Sequence, residues 1–378
     1  MYFRHDRYLL TETMTRDKTY SKPLPNGGIL DSAIATVRIK NKSDQYLAPE
    51  PLILDHITKI EIKGDGQRPF KSYWGQTCLA EYAYAMGTPA PAVNDVMSAN
   101  YQTQTFPILF GKKLFDGTYG LDLSKEAQVM LHMTNDFATS ELDTAYNIEL
   151  DLDLWFIEDP ATSINKYLQT FEHETWTWTG ASQKHKYLVP KEDTVRRMFI
   201  YAKDPRTAVD SAQTNKAFRS IRYLKYTRLS GKERVRDDDL YRHDQDCLWG
   251  YPDIIETEGL LEARTDAYFD TFLCRPTQLV VCPAYSADPG GTSDLVIDQR
   301  VERFLKFRRA TQASNQARFT ARGTGYLDHL LIREDLIDDE AHYLNPASKA
   351  NVEIEIGNSS SGGSSGTTGL VIQTPQSQ

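Results

Sequence analysis

"YNIELDLDLWFIED" (residues 146–159) is the stretch on which the reading of the chain turns. Ile148, Leu150, Leu152 and Leu154 alternate with Asn147, Glu149, Asp151 and Asp153, giving one apolar and one polar face. Such period-two alternation marks a half-buried β-strand, because successive side chains point to opposite sides of an extended backbone. At ~3.3 Å per residue the strand runs on the order of 35–40 Å, a length that suits a large sandwich.

Strand signals continue outward in both directions. Upstream lie "SAIATVRIKNK" (32–42), "DHITKIEIKGDG" (55–66) and "AQVMLHMTN" (127–135), alternating or rich in β-branched residues. Asp65-Gly66 is a hairpin signal that tolerates positive φ. Downstream come "NKYLQTFEHETWTWTGA" (165–181), "KYLVP" (186–190), "DTVRRMFIYAKDP" (193–205) and "SIRYLKYTRLSG" (220–231). "TQLVVCP" (277–283), "RFLKFRRAT" (303–311) and "YLDHLLIRED" (326–335) follow. One helix is expected at "WGQTCLAEYAYAMG" (74–87), ending on a glycine, and a short one at "RTDAYFDTFL" (264–273). The fold class is all-β with short helices in the loops.

The chain of 378 residues exceeds one ordinary core, so two domains are the natural division. Its net charge of −9 argues against a surface devoted to nucleic acid, with "RRMF" and "KFRRAT" as local basic spots on strand faces. The start, "MYFRHDRYLLTETM", is interrupted by charges and lacks the apolar core of a signal peptide. No stretch approaches the ~18 apolar residues of a membrane span. Cys78, Cys247, Cys274 and Cys282 form no CxxC pair and read as reduced thiols. Cys274 and Cys282 on one strand would stand roughly 26 Å apart.

No stretch matches a nucleotide, metalloprotease or hydrolase motif. Three groupings come nearest to chemistry. Asp237, Asp238, Asp239, His243, Asp244 and Asp246 in "GKERVRDDDLYRHDQD" (231–246) offer hard-cation ligands, but without the glycine and spacing of a calcium loop the segment reads as a solvated loop. Glu149, Asp151 and Asp153 lie ~7 Å apart along one strand face, as paired carboxylates of a glycosidase would. Trp176 and Trp178 in "TWTWTG" would share a face able to stack on sugars, with core packing or a subunit contact as the structural explanation. The expectation is no catalytic, cofactor-binding or metal residue.

Two passages suggest duplication. "ITKIEIKGDG" (57–66) matches "VRRMFIYAKD" (195–204), and "LDLWFIED" (152–159) matches "LDHLLIRED" (327–335). Pro160 and "PATSINK" mark a boundary between halves. The ends differ from the body. Residues 1–28 show few strand signals, and 357–378 carry no charge and are mostly Gly, Ser, Thr and Gln. Val352, Ile354 and Ile356 form one short strand, and Leu370-Val371-Ile372 a second apolar clip. The ends are therefore expected to be arms, the C-terminal one adding a strand to another subunit.

The order of elements resembles the first jelly roll of the double jelly-roll major capsid proteins of tailless icosahedral viruses, the adenovirus-type lineage with its phage members. The residues that carry the resemblance are Phe106-Pro107-Ile108-Leu109-Phe110-Gly111, Phe115-Asp116 and Tyr119-Gly120-Leu121-Asp122-Leu123. A second jelly roll would begin at "TFEHETWTWTGASQKHKYLVPKEDTVRRMFIYA", where Leu188-Val189-Pro190 stands for the family's "LP"-like stop. The likeness runs from about residue 30 to 340. In its terms Pro107 sits at a sheet edge or corner, Gly111 and Gly117 let the chain turn, and "YGLDLS" launches the next strand. It implies an N-terminal arm (1–30), a first jelly roll (31–159), a second (160–340) and a Gly/Ser-rich C-terminal arm (341–378). It further implies a homotrimeric virion protein, made in the host cytoplasm, whose six jelly rolls tile a shell against neighbouring capsomers and minor capsid or penton proteins. The inner face would meet a membrane or the genome, with no cofactor and no dedicated small-molecule ligand. The rival readings are a carbohydrate-active sandwich (lectin or glycosidase) and a minor capsid or spike protein.

Overall fold

The computed structural model describes residues 1–41, 53, 56–65, 69–93, 99–137, 147–160, 163–180, 182–203, 221–239, 254–263, 274–283, 294–298, 304–308, 315–327, 329–335, 339–358 and 366–378. Its first half holds β1 (Tyr2–Met14), β2 (Thr19–Pro23), β3 (Ile29–Lys40), β4 (Ile57–Lys63), β5 (Lys71–Tyr73) and α1 (Gly75–Met86). Next come β6 (Ala92–Val93), β7 (Tyr101–Leu109), β8 (Leu121–Asp122), β9 (Met130–Asn135) and β10 (Ile148–Glu158). The second half opens with β11 (Lys166–Thr177), β12 (Lys184–Leu188), β13 (Arg197–Lys203), β14 (Ile221–Arg228) and β15 (Glu233–Asp239). There follow β16 (Ile254–Ala263), β17 (Cys274–Pro283), β18 (Asp294–Asp298), β19 (Phe304–Arg308) and β20 (Asn315–Tyr326). The last are β21 (His329–Arg333), β22 (Glu353–Asn358) and β23 (Thr367–Ser377).

The strand orders reveal two sandwiches of the same design. The first sets β1-β10-β3-β7 against β2-β9-β4-β5; the second sets β11-β23-β13-β21 against β12-β22-β14-β15. Each core is filled from both of its sheets. Val37, Leu152, Ile60 and Leu131 meet in one, and Ile200, Ile372, Leu224 and Ile354 in the other. A parallel pairing, Lys71 beside Thr170 and Ser72 beside Phe171, joins β5 to β11 and fuses the facing edges of the two sandwiches into one 11-stranded sheet.

The equivalence holds residue by residue. β1 carries a bulge between Arg7 and Leu9, and β11 carries one between Glu172 and Glu174. The Leu24 N–H reaches the Val129 carbonyl (2.7 Å) as the Val189 N–H reaches that of Val352 (3.0 Å). The Asp31 carbonyl accepts from Phe110 (3.0 Å) as the Arg196 carbonyl does from Glu334 (3.0 Å). Arg7 and Glu172, Leu24 and Val189, Asp31 and Arg196 are all separated by the same distance along the sequence. At the far ends of β9 and β22, Asn135 and Asn358 each brace the turn after the sandwich's first strand, through Asp17 (2.9 Å) and Gln183 (2.5 Å).

This overturns the sequence matches while upholding duplication. The strand equivalent to β4 is β14, not β13, and the strand equivalent to β10 is β23, not β21. Amphipathic strands resemble one another wherever they stand, so "ITKIEIK" matched the wrong position. Both arms are corrected too. β1 and β2 belong to the first sandwich, with β1 paired along β10, and β23 lies between β11 and β13 with Leu370, Val371 and Ile372 fully buried. β22 is likewise internal, between β12 and β14.

The alternation of β10 is observed, with Ile148, Leu150, Leu152 and Leu154 buried and the residues between them partly exposed. β13 instead buries Arg197 through Ala202 without a break. Met198 and Ile200 enter their own core, whereas Phe199 and Tyr201 join the first half's core. A strand buried on both faces needs no polar side. Segment 231–246, expected as a loop, begins with a strand, since β15 pairs along β14; His243, Asp244, Asp246, Gly66, Cys247 and the helix expected at 264–273 lie outside the described residues.

Candidate functional site

The densest chemistry lies where the two halves meet. α1 starts directly after β5 and ends on Gly87, whose φ of 71° is the left-handed cap that glycine adopts without steric cost. Every residue from Gly75 to Tyr84 is buried, the polar Gln76, Thr77 and Glu81 among them. It works as a peg between the sandwiches. Thr77 Oγ1 is 2.7 Å from His329 Nε2 on β21, and the Tyr326 N–H donates to Tyr84 Oη at 3.1 Å. Trp74 packs on His329 and Tyr201, with ring centroids 5.9 and 5.6 Å apart, and Lys203 sits 4.3 Å over its indole. Burial, reinforced by the Lys203 charge, pulls His329 down to about 3, so it is a neutral ring at neutral pH. Gly369 of β23 leaves room for Tyr201, since a Cβ there would come within 2.4 Å of the phenol ring.

Beneath the peg runs a buried polar chain. Lys71 Nζ donates to Glu81 Oε1 and to Thr170 Oγ1, each at 2.8 Å. Thr170 Oγ1 (2.8 Å) and Gln373 Nε2 (2.6 Å) also donate to Glu81 Oε1. Gln373 Oε1 accepts from Arg196 Nη1 at 2.6 Å, and Arg196 Nη2 reaches Asp335 Oδ2 at 2.8 Å. Arg197 Nε (2.8 Å) and Arg333 Nε (2.9 Å) complete the ring around Asp335. Lys71 and Glu81 come from the first half; Thr170, Gln373, Arg196 and Asp335 come from the second. Burial pulls the Lys71 ammonium down against the pull of Glu81. Burial also opposes the Asp335 carboxylate, but Arg197, Arg196 and Arg333 outweigh it and hold it below the usual range. These groups bind one another in a buried interior, so the arrangement suits fixing two bodies in register.

The three groupings that came nearest to chemistry are engaged in pairing and packing. Glu149 and Asp151 face Arg38 at 3.5 and 3.0 Å, while Asp153 faces His5 at 2.9 Å. Each carboxylate of that face lies within reach of an arginine of a neighbouring strand, Arg7 standing 3.8 Å from Asp153. Trp176 and Trp178 do not form a platform. β11 ends at Thr177, so the alternation that would align them is broken; Trp178 is 1% exposed in the second core and Trp176 stacks on His185 at 4.2 Å. Asp237 on β15 accepts from the Tyr223 phenol and pairs with Arg234 at 3.1 Å. Cys78 is a buried free thiol donating to the Pro107 carbonyl (3.3 Å), and Cys274 and Cys282 stand eight positions apart along β17. Among the described residues no three His, Cys, Asp or Glu side chains gather as metal ligands, and no helix is long and apolar enough to cross a membrane. The seam itself was not legible in the sequence; its one signal was a lysine, Lys71, in a three-residue strand just before a largely apolar helix that carries Glu81.

No protein-family model and no curated protein sequence matches the chain. Its fold does have solved counterparts. The major capsid protein of Sulfolobus turreted icosahedral virus superposes with a TM-score of 0.60 at 8% identity, covering 99% of this chain and 96% of its own. The chain is a double jelly roll. The capsid of the virus PBCV-1 gives a TM-score of 0.54 at 9% identity over 99% of this chain and 93% of that one. The major capsid protein of bacteriophage PM2 gives 0.52 at 8% identity, over 100% and 98%. The match therefore extends past the expected span of residues 30–340 to both ends.

Within the double jelly roll, the passage 106–123 is a corner. Pro107 pairs with Ile34 beyond the reach of the two-residue β6, where β7 is the outer strand among the described residues. "YGLDLS" does not enter β9 directly; it forms the short β8 against β3 and one 3₁₀ turn over Leu123–Lys125. The loop between is held by Asp31, which is 1% exposed and accepts the Phe115 N–H at 3.2 Å. Burial pushes this carboxyl up to about 6. Because its folded-state value lies above the unfolded one, it favours the fold most below pH ~4, and that contribution is lost as pH rises to about 6. Thermal melts should show the wild type losing on the order of 2–3 kcal/mol between pH 4 and 7 from this group. Asp31→Asn should flatten that slope, and an unchanged slope would clear Asp31 of responsibility.

Proposed function

We propose that the chain is the major capsid protein of an icosahedral virus, and that three copies form a capsomer with one lobe per jelly roll. The observation that supports this most is that the two jelly rolls, locked by a buried polar seam, account for the chain from β1 to β23 and align end to end with capsid proteins of three viruses. Shell building needs a rigid body with fixed angles between its lobes, and the peg and buried polar chain supply that rigidity. In this reading the protein is not an enzyme. It resides in the virion after synthesis in the host cell and meets neighbouring capsomers and minor capsid or penton proteins. Residues 1–160 and 163–378 act as the two lobes. The carbohydrate reading loses its main support with the burial of Trp178.

Light scattering and negative-stain electron microscopy of the purified full chain test this. The expected result is a particle of three chain masses with a six-lobed outline, which orders into hexagonal arrays or shells on concentration. A chain that stays monomeric at every concentration and forms no assembly would refute the proposal.

A further inference from the structure

The duplication leaves two edges without a partner. Within the chain, the last strand of one sheet, β5, docks on the first strand of the next jelly roll, β11. The strand equivalent to β5 is β15, and the strand equivalent to β11 is β1. Among the described residues, β15 pairs only with β14, and β1 only with β10. Each therefore has a free row of backbone donors and acceptors on the side that β5 and β11 use for each other.

We propose that the outer edge of β15 docks in parallel along the outer edge of β1 of a second copy of the chain, repeating between chains the β5–β11 junction found within one. The occupant is a second copy because the two edges have the geometry of two edges that already bind, and they sit at opposite ends of the chain's own series. Head-to-tail repetition of one such contact generates a closed ring or a filament. Only the ring's closure at three chains rests on the capsid reading; the edge contact stands on the duplication.

The duplication also fixes the register. Asn135 and Asn358 align β9 with β22, so Met133 beside Ile60 corresponds to Ile356 beside Leu224. Ile60 faces Tyr73 and Leu224 faces Asp238, which makes Ser72 equivalent to Asp237 and Lys71 equivalent to Arg236. On the other side, the bulges match Arg7 to Glu172, hence Thr170 to His5 and Phe171 to Asp6. Lys71 beside Thr170 and Ser72 beside Phe171 thus become Arg236 beside His5 and Asp237 beside Asp6 of the second copy. Arg7 falls beside Asp238, and Arg4 falls diagonal to Asp237. Asp6 shares Arg4 (3.8 Å) with Glu158, which Arg4 binds at 2.7 Å. The acidic run Asp237–Asp239 meets a segment containing Arg4, His5 and Arg7.

Cross-linking of the full chain tests the register. Chains carrying Asp6→Cys and chains carrying Asp237→Cys are mixed and treated with a short bismaleimide, which adds one thiol across each of its two double bonds; Arg4→Cys with Val235→Cys, both exposed positions, is the second pair. The expected result is a band of twice the chain mass in each mixture and none above background in either variant alone. A chain carrying both cysteines should close into a covalent ring. If the unmodified chain forms trimers by light scattering but neither mixture cross-links, the edge contact is wrong while the capsid reading survives. If the unmodified chain is monomeric throughout, both fail.

Discussion

A chain ending at Asn358 is expected to lose its second jelly roll altogether. The missing β23 is not an appendage but the strand between β11 and β13, paired along both of its sides. Leu370, Val371 and Ile372 are fully buried, two in the second core and Val371 against the first. At ~1.5–3 kcal/mol for each buried aliphatic side chain, their loss alone amounts to about 5–9 kcal/mol. That is comparable to the entire stability of an ordinary domain, on the order of 5–15 kcal/mol. Gln373 leaves with the strand, so Glu81 and Arg196 lose the amide that links them. Limited proteolysis should find residues 166–358 cleaved throughout, and near-ultraviolet circular dichroism should report loss of aromatic order. A truncated chain that stays soluble, protease-resistant and oligomeric would mean that β23 is dispensable. The single change Leu370→Asp should have the same sign and a smaller size.

The second large effect is expected at Glu81. Glu81→Leu leaves the Lys71 ammonium, which is 0% exposed, without its counter-charge. Breaking a buried pair from one side costs roughly 3–5 kcal/mol, because the remaining charge is neither solvated nor paired. Combining Glu81→Leu with Lys71→Met removes both charges and should recover most of the loss, since an apolar pair of similar volume is tolerated. Denaturant melts of the two single variants and the double variant decide this. If the double variant is as unstable as the sum of the singles, the two groups do not act as a pair. The seam also predicts where a partial loss would appear. Weakening Lys71–Glu81 loosens one jelly roll against the other before it unfolds either.

Much of the fold could be read from residue order. The alternation of β10, the glycine that ends α1 and the corner at Pro107 follow from local rules that need no knowledge of neighbours. What escaped reading depends on tertiary context. β1, "YFRHDRYLLTETM", shows no clean alternation, because it is an edge strand with two register shifts and a left-handed Thr11. β23 follows an uncharged Gly/Ser stretch, and nothing local says that an apolar clip there will occupy the middle of a sheet. The duplication was suspected from the wrong strands, since the true counterparts share positions in the hydrogen-bonding order and hardly any side chains. Pro25 and Pro190, one residue beyond the matched Leu24 and Val189, are a rare surviving identity. The seam was least legible of all. Lys71 and Glu81 look like ordinary surface charges until Thr170, Gln373 and Arg196 arrive from the other half.

In each jelly roll the central partner of the first strand arrives last. β1 waits for β10, and β11 waits for β23, with most of the roll's sequence in between. Until that strand threads into place, the flanking strands are open-edged ribbons. Pairings this distant in sequence make folding slow, and exposed edges are where unfinished chains stick to one another. Yield from overexpression should therefore respond to temperature and chaperone supply more than to the stability of the finished protein.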